Sequence, residues 1–186
     1  MKLLCTADLH YRLPQLDWLV EQADDVDVVI IPGDLLQVIG AAPLDVQIVV
    51  VSKYLQRLAD RTLVLASSGN HDLDGPGETG EQATAWLREL ADAQLVVDGG
   101  SIDVDGVRFT VCPWWDGPET KRLVDEQLAT AAIDRPDRWI LVYHSPPSDS
   151  PLANAGSKIY PDPDLAAWIE RWHPDLVVCA HIHQAP

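Results

Sequence analysis

The chain has 186 residues, of which 47% are hydrophobic, and its 13 basic and 29 acidic residues give a formal charge of −16. This length predicts a single domain over residues 1–186, with enough apolar side chains for a substantial core. The acidity disfavours a broad nucleic-acid-binding face, and no apolar run reaches the ~20 residues that span a bilayer.

The predicted elements alternate short β-rich runs with longer helical segments. The first part consists of βα units, with strands predicted at 2–6, 27–31 and 63–66 and helices at 13–23, 46–58 and 81–91. Short strands follow at 95–97, 101–104 and 107–112, the last two joined by an Asp-Gly pair typical of hairpins. βα units then return, with helices at 119–132 and 164–172 and strands at 139–143 and 176–179. We interpret the long stretch 145–163 as a loop over the functional site.

The three cysteines, Cys5, Cys112 and Cys179, lie in apolar runs and form no CxxC pair. An odd number of cysteines without an N-terminal signal peptide indicates a reducing cytoplasm. We therefore expect a cytoplasmic protein whose cysteines are small buried hydrophobic residues.

Five of the six histidines lie in short fragments that also hold carboxylates and an amide, each following an apolar run. The fragments are Asp8-Leu9-His10, Gly33-Asp34, Gly69-Asn70-His71-Asp72, His144 and His181-Ile182-His183. Hard oxygen donors mixed with imidazoles at one edge of a sheet are typical of a two-metal hydrolytic centre.

Two of these fragments place metal-binding residue types two positions apart. In an extended chain such side chains point to the same side, so Asp8 with His10, or His181 with His183, could grip one metal ion. Asp34 ends the most apolar run, where a carboxylate is costly unless it is paired or metal-bound. Each fragment alone also fits a structural role, such as a polar strand end or a turn.

The third fragment supplies both a ligand and candidate catalytic groups. Asn70 offers a neutral oxygen, whereas the adjacent His71 would point elsewhere and suits proton transfer or transition-state stabilisation. Asp72 could accept a hydrogen bond from His71 and fix its tautomer. We predict His71 and Asp72 as catalytic residues; the alternative is a turn with a capping aspartate.

Candidate substrate contacts are fewer. Trp114 and Trp115 follow the strand predicted at 107–112 and could stack on a base. Lys158 and Tyr160 in the long loop could meet a phosphate or nucleoside, and Arg12 just past His10 is a further candidate. The alternative for each is ordinary core or loop packing.

Taken in order, the fragments resemble the pattern DxH, GD, GNHD, H, GHxH of the calcineurin-like metallophosphoesterase superfamily. The resemblance covers almost the whole chain and implies an α/β fold, a four-layer αββα sandwich of two mixed β-sheets flanked by helices. Two departures are Ala180, where the family has glycine, and Leu35-Leu36-Gln37, which differs from the DRG run of phosphoprotein phosphatases. Family members normally continue beyond the last motif, so the domain over 1–186 is either a minimal member of the family or one whose C-terminal strand is supplied elsewhere or was lost.

The resemblance also implies the roles of the site residues. One metal ion would be held by Asp8, His10, Asp34 and His183. The other would be held by Asp34, Asn70, His144 and His181. A metal-bridging hydroxide would attack phosphorus, and His71 would help the leaving group. The many imidazoles favour Mn, Fe, Zn or Ni over Mg or Ca, with Mn expected.

We therefore predict a metal-dependent phosphoesterase acting on the phosphodiester or phosphomonoester of a small substrate, with neither nucleic acid nor membrane as partner. One alternative is a nuclease, because the superfamily includes DNA-repair exonucleases, although those carry capping domains and basic surfaces. The other is a non-catalytic scaffold, which would typically have lost ligands that are all present here.

Overall fold

The computed structural model describes residues 1–40, 42–156, 158–159 and 162–183. In this part of the chain, two β-sheets pack face to face and helices cover both outer sides. The strands are β1 Leu3–Cys5, β2 Val28–Pro32, β3 Leu63–Ser67, β4 Gly75–Pro76, β5 Gln82–Ala83, β6 Leu95–Val97, β7 Ser101–Val104, β8 Val107–Val111, β9 Arg138–Val142, β10 Asn154–Ala155, β11 Lys158–Ile159 and β12 Leu176–Val178. The α-helices are α1 Leu13–Gln22, α2 Leu44–Ala59, α3 Ala85–Arg88, α4 Pro118–Ala131 and α5 Pro163–Trp172.

The first sheet has the order β1-β2-β3-β6 and the second the order β12-β9-β8-β7. Pairing in the first sheet is parallel throughout. In the second sheet β12, β9 and β8 are parallel, and β7 is antiparallel to β8. The predicted αββα sandwich is therefore confirmed, although among the described residues only the second sheet is mixed. The pairs β4-β5 and β10-β11 form small separate hairpins.

Side-chain alternation along the strands divides the core into layers. On β2, Val28 and Ile30 belong to the apolar layer between the sheets, whereas Val29 and Ile31 belong to the layer under α1 and α2. Phe109, the only phenylalanine of the chain, is fully buried between the sheets. A third layer joins β9 to α4 and α5. The central strands of both sheets are therefore covered on both faces, which accounts for their continuous apolar runs.

The helix predicted at 81–91 is wrong over most of its length, because only Ala85–Arg88 is α-helical. The polar side chains that precede this helix form hydrogen bonds with residues far away or outside the predicted helix. The Glu81 carboxylate accepts hydrogen bonds from the backbone N–H groups of Glu119 and Thr120 at 2.9 and 2.7 Å, at the start of α4. The Asp74 carboxylate accepts the N–H of Ala85 at 2.8 Å, and α3 begins at Ala85 and not at residue 81 as predicted.

The predictions for the cysteines and for the loop at 145–163 are confirmed only in part. Cys112 is buried as predicted, but Cys5 is exposed, on the strand that comes first in the described part of the first sheet, and Cys179 is intermediate. The loop predicted at 145–163 contains a 3-10 turn at Pro151–Ala153 and the β10-β11 hairpin, and Tyr160 lies outside the described residues. Among the described residues, none of the helices has the length and apolar character required to cross a membrane.

Candidate metal centre

The candidate site lies where β1, β2, β3, β9 and β12 end, because parallel strands deliver their carboxyl ends to the same edge of the sandwich. A cavity of about 340 Å³ opens there. Its lining consists of His10, Arg12, Asp34, Gln37, Asn70, His71, His181 and His183. The structure thus brings together most of the predicted ligands, although they are far apart in sequence.

Several site residues adopt left-handed backbone conformations. Asp8, His10, Asp34 and His181 have φ angles of 52°, 44°, 55° and 72°. The extended geometry expected for the two i,i+2 pairs is therefore wrong. Left-handed residues other than glycine cost of order 1–3 kcal/mol each and cluster at functional sites. Backbone hydrogen bonds stabilise the turn, since the His10 N–H donates to the Asp34 carbonyl at 2.9 Å.

One group of ligand atoms consists of Asp8, His10 and His183. The Nε2 atoms of His10 and His183 face each other at 3.1 Å, and the Nε2 atom of His183 lies 3.5 Å from Asp8 Oδ1. His10 Nδ1 lies 3.3 Å from the Leu36 carbonyl oxygen, which can only accept, so Nδ1 carries the proton and Nε2 presents a lone pair. Nitrogen atoms that face each other this closely could be bridged by a cation.

A second group consists of Asp34, His144 and His181. His144 is fully buried, and its Nδ1 donates to the Pro32 carbonyl at 2.7 Å, so its Nε2 is the ring nitrogen that faces Asp34 and His181. That Nε2 lies 3.4 Å from Asp34 Oδ2 and 3.2 Å from His181 Nδ1. The group therefore combines a carboxylate oxygen with two imidazole nitrogens.

Asp34 belongs to the second group, lies close to His10 of the first, and is 2% exposed. Its Oδ2 is 3.8 Å from His10 Nε2 on one side and 3.4 Å from His144 Nε2 on the other. Burial acts to raise the pKa of the Asp34 carboxyl, but the hydrogen bond and charge of His144, with the His71 N–H, lower that pKa overall. The carboxylate is therefore ionised at neutral pH.

Two buried side-chain oxygens without hydrogen-bond partners in the described part of the chain, and the close approach of the Gly69 backbone, are consistent with a cation site here. Asp8 Oδ1 and Asn70 Oδ1 are buried and have no hydrogen-bond partner within the described residues, which is costly without a ligand. A Cβ atom on Gly69 would lie 2.6 Å from the Asp34 nitrogen and 2.9 Å from His144 Nε2. The Gly69 backbone therefore has to pass directly against these two residues.

His71 faces the same cavity as the expected ligands rather than away from them. Its Nε2 is 3.9 Å from Asp34 Oδ2, and His10, Asp34 and His71 form a third group that could hold a cation. Its Nδ1 is buried without a partner among the described residues. Its predicted part in catalysis stays a prediction.

The predicted hydrogen bond between His71 and Asp72 is not formed. Asp72 is fully buried, and its two carboxylate oxygens accept the backbone N–H groups of Leu36 and Gly69, both at 2.8 Å. Asp72 therefore joins the loop after β2 to the loop after β3. Burial raises the pKa of its carboxyl to about 7.

The predicted substrate contacts differ in position. The Trp114 ring borders the site, with its centroid 5.8 Å from His144 and 5.6 Å from His181. Trp115 instead stacks on Tyr143 at 4.3 Å within the layer under α5, and exposed Lys158 is not among the residues that line the cavity.

Arg12 does line the cavity, as does Gln37, which the sequence analysis did not predict. Gln37 is held by buried Gln47, whose Oε1 accepts the Gln37 N–H at 2.9 Å. Its position three residues after Asp34 was the signal that could have identified it.

Sheets of this order with metal-binding residue types at one edge define a metallophosphoesterase-type domain. The chain belongs to the calcineurin-like phosphoesterase family, whose model matches residues 1–185, and this confirms the family that the sequence fragments predict. No curated protein sequence was found to match the chain.

Solved structures with a similar fold include a purple acid phosphatase, PPD1, isolated from yellow lupin (Lupinus luteus) seeds. It aligns with 98% of this chain at a TM-score of 0.64 and 18% sequence identity, and the chain spans 38% of its length. Yfce, a phosphoesterase from E. coli, aligns with 64% of this chain and 61% of its own, at a TM-score of 0.36 and 22% identity. The likeness to the lupin enzyme concerns the fold.

Proposed function

We propose that the protein is a dinuclear metal-dependent phosphoesterase that hydrolyses a phosphodiester or phosphomonoester of a small substrate. The observation that carries this proposal is the position of buried Asp34, which has a group of ligand atoms on each side. Membership of the calcineurin-like phosphoesterase family supports the same chemistry.

These groups and the two unsatisfied oxygens support the ligand sets that the family resemblance implies. The first ion would be held by Asp8, His10, Asp34 and His183. The second would be held by Asp34, Asn70, His144 and His181. Two divalent ions would supply an activated water and offset charge on the phosphate oxygens. The imidazole-rich set favours Mn, Fe, Zn or Ni, with Mn as our first choice.

Two further residues of the cavity would act on the substrate. His71 lines the cavity and its side chain is 30% exposed, and we assign it the delivery of a proton to the leaving-group oxygen. The guanidinium of Arg12 forms no ion pair within the described residues and could bind a phosphate oxygen in the forked geometry that arginine offers.

The proposal is tested by hydrolysis of bis-p-nitrophenyl phosphate and p-nitrophenyl phosphate. The protein is freed of metal by chelation, dialysed, and assayed with and without added Mn²⁺. We expect turnover of at least one ester that disappears on chelation and returns with the ion. A folded protein that hydrolyses neither ester with Mn²⁺, Fe²⁺, Zn²⁺ or Ni²⁺ would contradict the proposal.

A further inference from the structure

A buried carboxylate outside the cavity binds the loop that carries Asn70. Asp98 follows directly after β6 and is 7% exposed. Its Oδ1 accepts the backbone N–H of Ser68 at 2.8 Å. Strand β6 pairs with β3 up to Ala66 and Val97. The Asp98 side chain therefore continues the pairing of these strands beyond the point where backbone pairing stops.

The loop from Ser68 to Asp72 is held by buried carboxylates along its length. The N–H of Gly69 donates to Asp72 at 2.8 Å, and the N–H of His71 donates to Asp34 at 3.0 Å. The bond from Ser68 to Asp98 is thus the first of three such contacts, and it lies two residues before Asn70. Of the three carboxylates, Asp98 is the one that belongs neither to the cavity lining nor to the recognised sequence fragments.

Ser68 also connects Asp98 to the opposite side of the proposed second metal site. The Ser68 Oγ accepts the backbone N–H of Trp114 at 3.0 Å. The Trp114 ring in turn contacts His144 and His181, with centroid separations of 5.8 and 5.6 Å. A shift of Ser68 would therefore reach Asn70 through the backbone and the two histidines through Trp114.

We infer that Asp98 is a positioning residue for the second metal site, which it controls through Ser68. The inference rests on the proposed function, since it requires a metal ion at Asn70, His144 and His181. Groups that orient metal ligands from outside the ligand set typically change metal affinity by 10–100-fold when they are removed. Asp98 acts through its hydrogen bond and not by contact with the ion or the substrate.

The test is a titration of metal-free protein with Co²⁺, followed by the visible absorption of the bound ion. Asp98→Ala removes the acceptor, whereas Asp98→Asn keeps an oxygen at Oδ1. Asp92→Ala is the matched control, because exposed Asp92 also accepts backbone N–H groups, those of Gln94 and Leu95 at 2.7 and 2.8 Å, but at the other end of β6. Thermal unfolding with a chelator compares the folding of all variants.

We expect wild type, Asp98→Asn and Asp92→Ala to bind two ions with similar affinities. Asp98→Ala should bind one ion normally and the other 10–100-fold more weakly, with a changed absorption spectrum. Two normal ions in Asp98→Ala, or equal losses in Asp98→Ala and Asp98→Asn, would overturn the inference alone. A wild-type protein that binds no Co²⁺ would overturn the proposed function as well.

Discussion

Asp34 and His71 are close neighbours with different proposed tasks. Asp34 is buried between two groups of ligand atoms, whereas the His71 side chain is 30% exposed at the cavity. A bridging carboxylate should be needed for both ions, since its removal takes an oxygen ligand from each ion and the one negative charge that the two ions share. A proton donor should be needed for turnover but not for metal binding.

These tasks predict different losses on substitution. Asp34→Ala should lose both metal ions and all activity. His71→Ala should keep both ions and lower kcat by about 10²–10⁴-fold, the usual contribution of a positioned acid or base. Metal content by mass spectrometry and steady-state kinetics on the same samples give the comparison. A His71→Ala protein that loses its metal would show that His71 is a ligand.

Asp98 gives a prediction on pH dependence. Burial raises the pKa of its carboxyl to about 6, although the hydrogen bonds from Ser68 and, less strongly, the charge of Arg88 act to lower that pKa. The folded state of the metal-free protein thus favours protonated Asp98. The stability that Asp98 contributes is fully present below about pH 4 and is lost as the pH rises through 6. The free energy of unfolding of Asp98→Asn, relative to wild type, should rise by up to about 3 kcal/mol from pH 4 to 7.5.

Urea denaturation of both proteins in the presence of a chelator measures this difference. Asp72, whose pKa is raised to about 7 by burial, acts in the same direction in both proteins and largely cancels. A difference that stays constant with pH would show that Asp98 does not titrate in this range.

At the scale of elements, the loops after the strands depend on how closely they approach each other. Gly69→Ala would place a Cβ against the Asp34 carboxylate and within 2.9 Å of His144 Nε2. Because neither neighbour can move without leaving its own contacts, we expect metal affinity to fall by at least about tenfold. Gly40→Ala is the control, since its nearest neighbour, the Gln37 side chain, is 3.4 Å from the added Cβ. Equal affinities in the two variants would contradict the argument.

The sequence was sufficient for the strands and for the meeting of the histidines. Continuous apolar runs signal strands buried on both faces, and the run predicted at 27–31 is β2 Val28–Pro32. It was not sufficient for the helix predicted at 81–91, because Glu81 bonds to Thr120, 39 residues away. The turn at His10 was missed for the same reason, since its N–H partner is the carbonyl of Asp34.

The predicted hydrogen bond from His71 to Asp72 was based on sequence neighbours and is wrong. Adjacent His71 was the nearest donor in sequence, but the carboxylate is occupied by backbone N–H groups, one of them from Leu36, 36 residues earlier. The metal-ligand assignments and the role of His71 stay predictions until metal is measured.

At the scale of the whole molecule, the formal charge of −16 disfavours the binding of nucleic acid. Such a surface repels a polyanion, because non-specific DNA binding depends on lysine and arginine neutralising phosphates. We predict that labelled duplex DNA binds more weakly than about 10⁻⁴ M at ~150 mM salt, the weak end of non-specific binding. Fluorescence anisotropy measures it. Micromolar binding that weakens steeply with salt would favour the nuclease alternative.

The central claim is that Asp34 bridges two metal ions, and anomalous scattering from Mn²⁺-soaked crystals tests it most directly. Data collected on both sides of the manganese edge should give two anomalous peaks, ~3.5–4 Å apart. One peak should lie against Asp8, His10 and His183. The other should lie against Asn70, His144 and His181, with Asp34 between them. A single peak, or two peaks that do not share Asp34, would contradict the account.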